Sequence, residues 1–314
     1  MDQQDRQDGR RTGAPQGVLA VANAKAGSST PDVVAGVLAE LERHTDTQVQ
    51  FTTSLDHLRE TLLTSGGRRV VLLGGDGSLH AALQLLWDTG AAREVGPLGL
   101  VPMGTGNDLA RSLRLPLDPV AAARLAATGA PRGLELLVDS HDRITVNTVH
   151  AGIGASATAK AQRLKGRLGV AAYPVGAAWA GFGAGRGFRL RVEVDGEVVT
   201  TGDDPVLMVG IGIGGTIGGG TPLVPGADPH DGVADVVVSA STGPLARLGF
   251  AAGLRQGVHV ERQDVTTAKG RVVEVTARRG TFRLNSDGEV TDHQAHERFE
   301  MHTDAWQVVC PAPL

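Results

Sequence analysis

The sequence has little to offer chemistries that depend on sulfur, stacked rings or positive charge. Cys310 is the one cysteine in 314 residues, so neither an internal disulfide framework nor a cysteine-based zinc site can be assembled. Aromatic residues make up 3% of the chain, which leaves few side chains to stack on an adenine ring. Thirty lysines and arginines face 34 acidic residues, a net charge of -4. The basic footprint that nucleic-acid binding needs is therefore missing. No stretch reads GxxxxGK[ST], so there is no Walker-type phosphate loop. Residues 1–16 are polar and charged without an apolar core, which excludes a signal peptide and predicts a disordered tail. Cytoplasmic location is the default expectation. Leu168–Gly185 (LGVAAYPVGAAWAGFGAG) carries no charge, but glycines and Pro174 interrupt it and its side chains are mostly small. It is near the lower length limit for a spanning helix. A buried or surface-docked segment is expected, with Trp179 and Phe182 facing core or lipid.

Glycine is abundant: 44 residues, in clusters without a fixed period. Such clusters mark tight turns or backbone lying close to a ligand. The first 140 residues alternate in type. GVLAVANA (17–24) predicts a strand, and Ser29–Arg43 carries apolar residues at the spacing of one helix face. Gln48–Thr52 predicts a strand, and Ser54 or Asp56 can cap a helix running to Leu63. RRVVLLGGDG (68–77) is an apolar strand that runs into glycines. Leu79–Trp87 is helical, and PLGLVPMGTGND (97–108) repeats the strand-to-glycine pattern before a helix through Leu113. This β-α-β-α order predicts a doubly wound parallel α/β domain over 17–140.

Beyond residue 140 the period becomes two, at Ile144–Val149, Phe188–Val194, Val206–Ile213, Val233–Ser239, Arg271–Ala277 and Thr281–Leu284. Asp195-Gly196 is a hairpin signal. A mainly antiparallel β-sandwich is expected over 141–296. GIGIGG (210–215) imitates a dinucleotide fingerprint, but no βαβ unit surrounds it.

Ligands of an open parallel sheet bind beyond the carboxyl ends of its strands. Both glycine turns, 74–77 and 104–106, lie at such ends, where free N–H groups and a helix dipole suit phosphate. Asp76 and Asp108 then stand on one rim. Beside a polyphosphate they would repel it unless a divalent cation lay between them, which argues for a Mg2+-dependent nucleotide site. The plainer alternative is that the glycines only turn the chain and the aspartates only cap helices.

GGDGS (74–78) followed by VPMGTGNDLAR (101–111) resembles the diacylglycerol kinase catalytic-domain family, which includes bacterial lipid kinases and is related to sphingosine and ceramide kinases. NTVHAGIG (147–154), PLVPGADPHDGVADVVV (222–238) and RLNSDGEV (283–290) extend the resemblance across 17–300. GGDG[ST] alone is shared with NAD kinases and phosphofructokinases. The resemblance implies a fold related to theirs, a C-terminal segment (297–314) returning to the first domain, and transfer of the ATP γ-phosphate to a lipid hydroxyl, with diacylglycerol the leading acceptor. It implies ATP contacts from Asn23, Gly74, Gly75, Asp76, Gly77, Gly104, Thr105, Gly106 and Asn107. Mg2+ is implied at Asp76, Asp108 and Glu135, and a structural Mg2+ at Asp228, Asp231 and the Val233 carbonyl. Asp287 is implied as general base, supported by Glu289, and Lys165 as the phosphate lysine, with Lys160 an alternative. Taken alone, DGE is also a common hairpin turn and DPHDG a common loop.

The chain departs from the family in two places. NAKAGSS (23–29) has no lysine after Gly27, and His80-Ala81 stand where Asn-Glu is usual. His80 is expected on the helix surface or near the nucleotide. The implied partner is a membrane lipid met peripherally at the inner leaflet, through 168–185 with Arg163, Lys165 and Arg167. No nucleic acid is expected, and a homodimer stays open. Two competing readings are an NAD kinase-like or other small-molecule phosphotransferase, and a catalytically weak nucleotide- or lipid-binding protein.

Overall fold

The computed structural model describes residues 17–23, 30–91, 95–152 and 187–312. The first part alternates: β1 (Val18–Asn23), α1 (Pro31–His44), β2 (Thr47–Thr52), α2 (Leu55–Leu63), β3 (Arg69–Gly74), α3 (Asp76–Asp88), β4 (Leu98–Pro102), α4 (Asp108–Ser112) and α5 (Pro119–Thr128). The four strands are parallel in the order β2-β1-β3-β4. Every residue of β3 and β4 is buried, as parallel strands covered by helices on both faces require. Val37 and Leu41 of α1 and Ala122, Ala123 and Ala126 of α5 pack on Ala20, Val71 and Val101. Leu62 of α2 and Leu79, Leu83 and Leu86 of α3 pack on the opposite face, against Val21, Leu72 and Leu100. Full burial of each such leucine contributes about 1.5–3 kcal/mol. Ser54, not Asp56, caps α2, its Oγ accepting from the His57 N–H at 3.1 Å.

The chain continues through β5 (Pro131–Asp139), β6 (Ile144–Thr145), β7 (Thr148–Gly152), β8 (Leu190–Val194), β9 (Glu197–Thr200), β10 (Met208–Gly212), β11 (Thr216–Ile217), β12 (Thr221–Pro222) and β13 (Ala234–Ser239). After α6 (Pro244–Gln256) come β14 (Val265–Gly270), β15 (Val272–Ala277), β16 (Leu284–Ser286), β17 (Glu289–Val290) and β18 (His296–Val309). One antiparallel sheet has the order β14-β13-β10-β7-β16-β17. The facing sheet extends the N-terminal one, in the order β2-β1-β3-β4-β18-β15-β8-β9, with β5 and β6 attached through β18. Val149, Val209, Val236, Val273, Phe282 and Phe299 lie in the core that these layers share. The architecture is a parallel α/β domain followed by a mainly antiparallel β-sandwich.

β18 joins the two halves. It runs parallel to β4 at Val308 and antiparallel to β15 and β5 elsewhere, with a register slip between His302 and Trp306. The period-2 stretch 144–149 is split between β6 and β7, and the pairing expected at 281–284 begins as a strand only at Leu284. α6 carries no clean apolar period because two glycines interrupt it. A Cβ on Gly249 would meet the Arg262 guanidinium at 2.5 Å, and one on Gly253 would meet the His259 backbone at 3.1 Å. The expectations for 1–16, for the turn after Asn23, and for Lys160, Lys165 and 168–185 lie outside the described residues. Among those described, no helix is long and apolar enough to cross a membrane.

Candidate active site

The turns after β3 and β4 lie back to back. A Cβ on Gly75 would stand 2.9 Å from the Gly104 Cα, so this approach needs glycine on both sides. A Cβ on Gly106 would lie 3.0 Å from Asp76 Oδ2 and 3.2 Å from Asp108 Oδ2, which places both carboxylates around one bare Cα. Asn107 takes the left-handed conformation at φ 54°. Its side chain accepts from the Gly104 N–H and donates to the Gly104 carbonyl, both at 2.9 Å, fixing the turn. Asp76 Oδ1 accepts from the Leu109 N–H at 3.2 Å. Burial, aided by the Asp108 charge, holds the Asp76 carboxyl above its ordinary value. A cation beside the pair would relieve that cost. Gly77 and Thr105 are exposed on the rim.

Asp108 also grips the second half of the molecule. Its carboxylate accepts from the Gly219 N–H at 2.9 and 3.1 Å and from the Gly220 N–H at 2.8 Å. Both glycines have positive φ. Beside this contact, Ser112 Oγ donates to Asn147 Oδ1 at 2.8 Å, and Asn147 Nδ2 donates to the Thr216 carbonyl at 2.6 Å. Arg111 Nε donates to the Gly106 carbonyl at 3.2 Å. A Cβ on Gly220 would lie 3.6 Å from the Arg111 guanidinium carbon, so a cation stands at the edge of the glycine turns.

Asp287-Gly288 forms the turn between β16 and β17. Both residues have positive φ, 47° and 94°, as a two-residue hairpin of this hand requires. The turn tucks the Asp287 carboxylate under β6 and β7. Oδ1 accepts from Asn147 N–H at 3.1 Å and Thr148 N–H at 3.0 Å. Oδ2 accepts from Val146 N–H at 2.7 Å and lies 3.2 Å from Nδ1 of His80. Burial disfavours the imidazolium, but the Asp287 hydrogen bond and the charges of Asp287 and Glu289 outweigh it and hold His80 above its ordinary value. Glu289 itself is exposed.

Glu135 lies under the 228–233 loop, accepting from the Gly232 N–H at 3.0 Å. Burial raises its carboxyl above the ordinary value, and the charges of Asp231, Asp228 and Asp304 add to this. Asp228 and Asp231 are exposed. Lys269 meets Asp231 at 3.4 Å and Asp235 at 3.0 Å. A crowd of oxygen donors with the Glu135 and Asp235 carboxyls both raised by burial fits a hard divalent cation. Among the described residues, the group whose three ligand atoms already lie within 4.8 Å of one another is a different one, Asp139, His141 and Glu297. There Arg143 already bridges Asp139 at 2.6 Å and Glu297 at 3.4 Å.

Residues 17–138 match the model of the diacylglycerol kinase catalytic domain, and 147–310 match that of the YegS C-terminal NAD kinase beta sandwich-like domain. The chain belongs to the diacylglycerol kinase catalytic-domain family. It is 30% identical to the diacylglycerol kinase of Mycobacterium tuberculosis (strain CDC 1551 / Oshkosh), over 70% of each chain. It is 31% identical over 90% of each chain to a Pseudomonas aeruginosa (strain UCBPP-PA14) protein named Probable lipid kinase YegS-like. A crystal structure from Bacillus anthracis str. Sterne superposes with a TM-score of 0.75, over 95% of this chain and 99% of that one, at 19% identity. Membership makes this chain a member of a lipid kinase family, whose reaction is phosphoryl transfer.

In this kinase a cleft of about 280 Å³ opens at the carboxyl ends of β1, β2 and β3, beside the first glycine turn. Asn23, Thr53, Ser54, Leu58, Ser78 and Ala81 are among its lining residues. The structure brings Asp76, Asp108 and the 104–107 turn together, and joins Glu135 to Asp228 and Asp231. Asp287 reaches the first domain through His80, a pairing the sequence did not announce because 207 positions separate the two residues. Asn147 and Arg111 were also missed as site residues. Both lie within motifs the sequence displayed, NTVHAGIG and GTGNDLAR.

Proposed function

We propose that this kinase transfers the γ-phosphate of ATP to a hydroxyl group of a membrane lipid, with diacylglycerol the leading acceptor. One observation carries the reading. The Asp76–Asp108 pair at the glycine turns is tied through Gly219 and Gly220 to the sandwich that holds the Asp287 hairpin. That tie would hold a phosphate site and an acceptor site in register, and positioning is the larger part of phosphoryl-transfer catalysis. The β1–β3 cleft offers apolar Leu58 and Ala81 for a base and Thr53, Ser54 and Asn23 for ribose hydroxyls. Gly77 and Thr105 would expose backbone to the phosphates, and Arg111, at the edge of the glycine turns, would supply positive charge in a chain that has no lysine after Gly27. Asp76 and Asp108 would hold Mg2+ at the phosphates. Asp228, Asp231, Glu135 and the Val233 carbonyl would hold a second, structural ion. Bound Mg2+ would neutralise the charge that phosphates bring to a rim already acidic. The bilayer contact rests on sequence alone, at 168–185 with Arg163, Lys165 and Arg167, so Trp179→Ser with Phe182→Ser should weaken vesicle binding.

The test is incubation of the protein with Mg·ATP and dispersed total lipid, followed by mass spectrometry for gain of one phosphoryl group. A phosphorylated lipid that disappears with Asp76→Asn supports the reading and names the acceptor. ATP bound without any lipid product would refute it and favour a soluble hydroxyl acceptor.

A further inference from the structure

Asp287 has no vacant lone pair. A carboxylate offers about four acceptor sites, two on each oxygen. Here Asn147 and Thr148 N–H fill those of Oδ1, while Val146 N–H and His80 fill those of Oδ2. The side chain is also sealed, with 3% of its surface exposed. A proton leaving an acceptor hydroxyl has no way to reach it without breaking a backbone hydrogen bond or displacing His80. The imidazole of His80 differs. Its side chain is 14% exposed. Nδ1 faces Asp287, and Nε2 has no hydrogen-bond partner among the described residues and is not one of their sealed polar atoms.

A second Asp-Gly turn separates the anchoring function of such a carboxylate from anything further. Asp195, at φ 50° before Gly196, also accepts backbone N–H bonds, from Arg271 and Val272 at 2.8–3.1 Å. Among the described residues no imidazole faces it. Backbone anchoring is therefore common to both turns, and the imidazole is what Asp287 adds.

We propose that His80 Nε2 takes the proton of the acceptor hydroxyl, and that Asp287 is a positioning residue that holds the Nδ1–H tautomer. The inference rests on the phosphotransfer reading above. The hydroxyl oxygen forms the new bond to the γ-phosphorus while the bond from that phosphorus to the β-bridging oxygen breaks, its electron pair leaving on ADP. The hydroxyl proton passes to Nε2, and the imidazolium later returns it to water. The arrangement follows the acid–base logic of a carboxylate-oriented histidine. Among the described residues, the charged groups that face His80 are Asp287 and Glu289, both from the β16–β17 hairpin. On its own helix Asp76 lies four residues before it, and neutral Gln84 four after it.

The test uses the full-length protein with Mg·ATP and dioleoylglycerol in mixed micelles, comparing the parent with His80→Asn, which can still donate to Asp287. In the parent, kcat/KM should rise with pH along a limb above the ordinary imidazole range, because the neutral ring is the base and its ring is held raised. His80→Asn should lose about a hundredfold or more in kcat, in line with general-base contributions, with KM for ATP and Tm nearly unchanged. It should lose that limb and recover part of its rate when imidazole is added. Asp287→Asn should move the His80 imidazole resonance toward the ordinary titration range in NMR. A parent active on the lipid, with His80→Asn within about fivefold of it and the same pH limb, overturns this inference and leaves the lipid kinase reading intact. A parent that transfers phosphate to no hydroxyl overturns both.

Discussion

A Cβ on Gly104 would lie 2.6 Å from the Cα of Gly75. The glycine turns of two different strands are thus in direct contact, with no side chain between them. The partner atom is backbone and cannot swing away. Gly104→Ala should force the turns apart, cost about 1–3 kcal/mol by overpacking, and weaken ATP binding more than tenfold. Thermal unfolding and calorimetric titration with Mg·ATP check this.

Gly77 gives the contrasting case. Nothing lies within 4 Å of a Cβ built there, and the residue sits in the first turn of α3. Gly77→Ala should keep or raise stability, by up to about 1 kcal/mol from helix propensity. It should still weaken ATP binding if phosphate approaches this backbone. Unchanged ATP affinity would remove Gly77 from the nucleotide site.

Arg111 is held against the Gly106 carbonyl and borders Gly220. Arg111→Gln should raise KM for ATP about tenfold, the scale of one charge-assisted contact, with a smaller change in Tm. Arg111→Lys should recover part of it. Steady-state kinetics at two salt concentrations would show whether charge is the cause.

The β1–β3 cleft is open to a volume test. Ala81 lines it and is half-buried. Ala81→Phe should fill the space offered to the base, abolish detectable ATP binding and leave the circular dichroism spectrum unchanged. Retained ATP affinity would place the base elsewhere.

Glu135 links pH to metal. Its carboxyl is raised by burial first and by Asp231, Asp228 and Asp304 after it. A raised carboxyl favours its proton in the fold, so that contribution is fully present below the unfolded value and is lost as pH rises through the folded one. In chelator the Tm should therefore fall across that window. Mg2+ should restore it, and more at pH 7.5 than at pH 4.5, while Glu135→Gln should flatten both effects. Superimposed melting curves with chelator and with Mg2+ would refute a metal at this loop.

The sequence displayed local features well. Glycine runs at the ends of apolar strands located both turns, and alternation located most sandwich strands, because these signals are carried by neighbouring residues. Partnerships across the fold were not visible in it. His80 gave no sign of Asp287, and Asp108 gave no sign of Gly219. Glu135 stood with Asp76 and Asp108 by family position, whereas the carboxylates that act on it are Asp231 and Asp228 of the 228–233 loop and Asp304 of β18. α6 was hidden because Gly249 and Gly253, required for close packing, dilute its apolar period.

β18 has a mechanical consequence. Many kinases open and shut like jaws around their substrates, which needs two bodies joined by a loose linker. Here a single 14-residue strand is hydrogen-bonded into both bodies, to β15 over His296–Glu300, to β4 at Val308, and to β5 along most of its length from Phe299 to Val309. Wide gaping would have to unzip that seam. A strand shared in this way makes the two bodies one continuous sheet, so any change in the gap between them has to be taken up by twist within β18 rather than by a hinge.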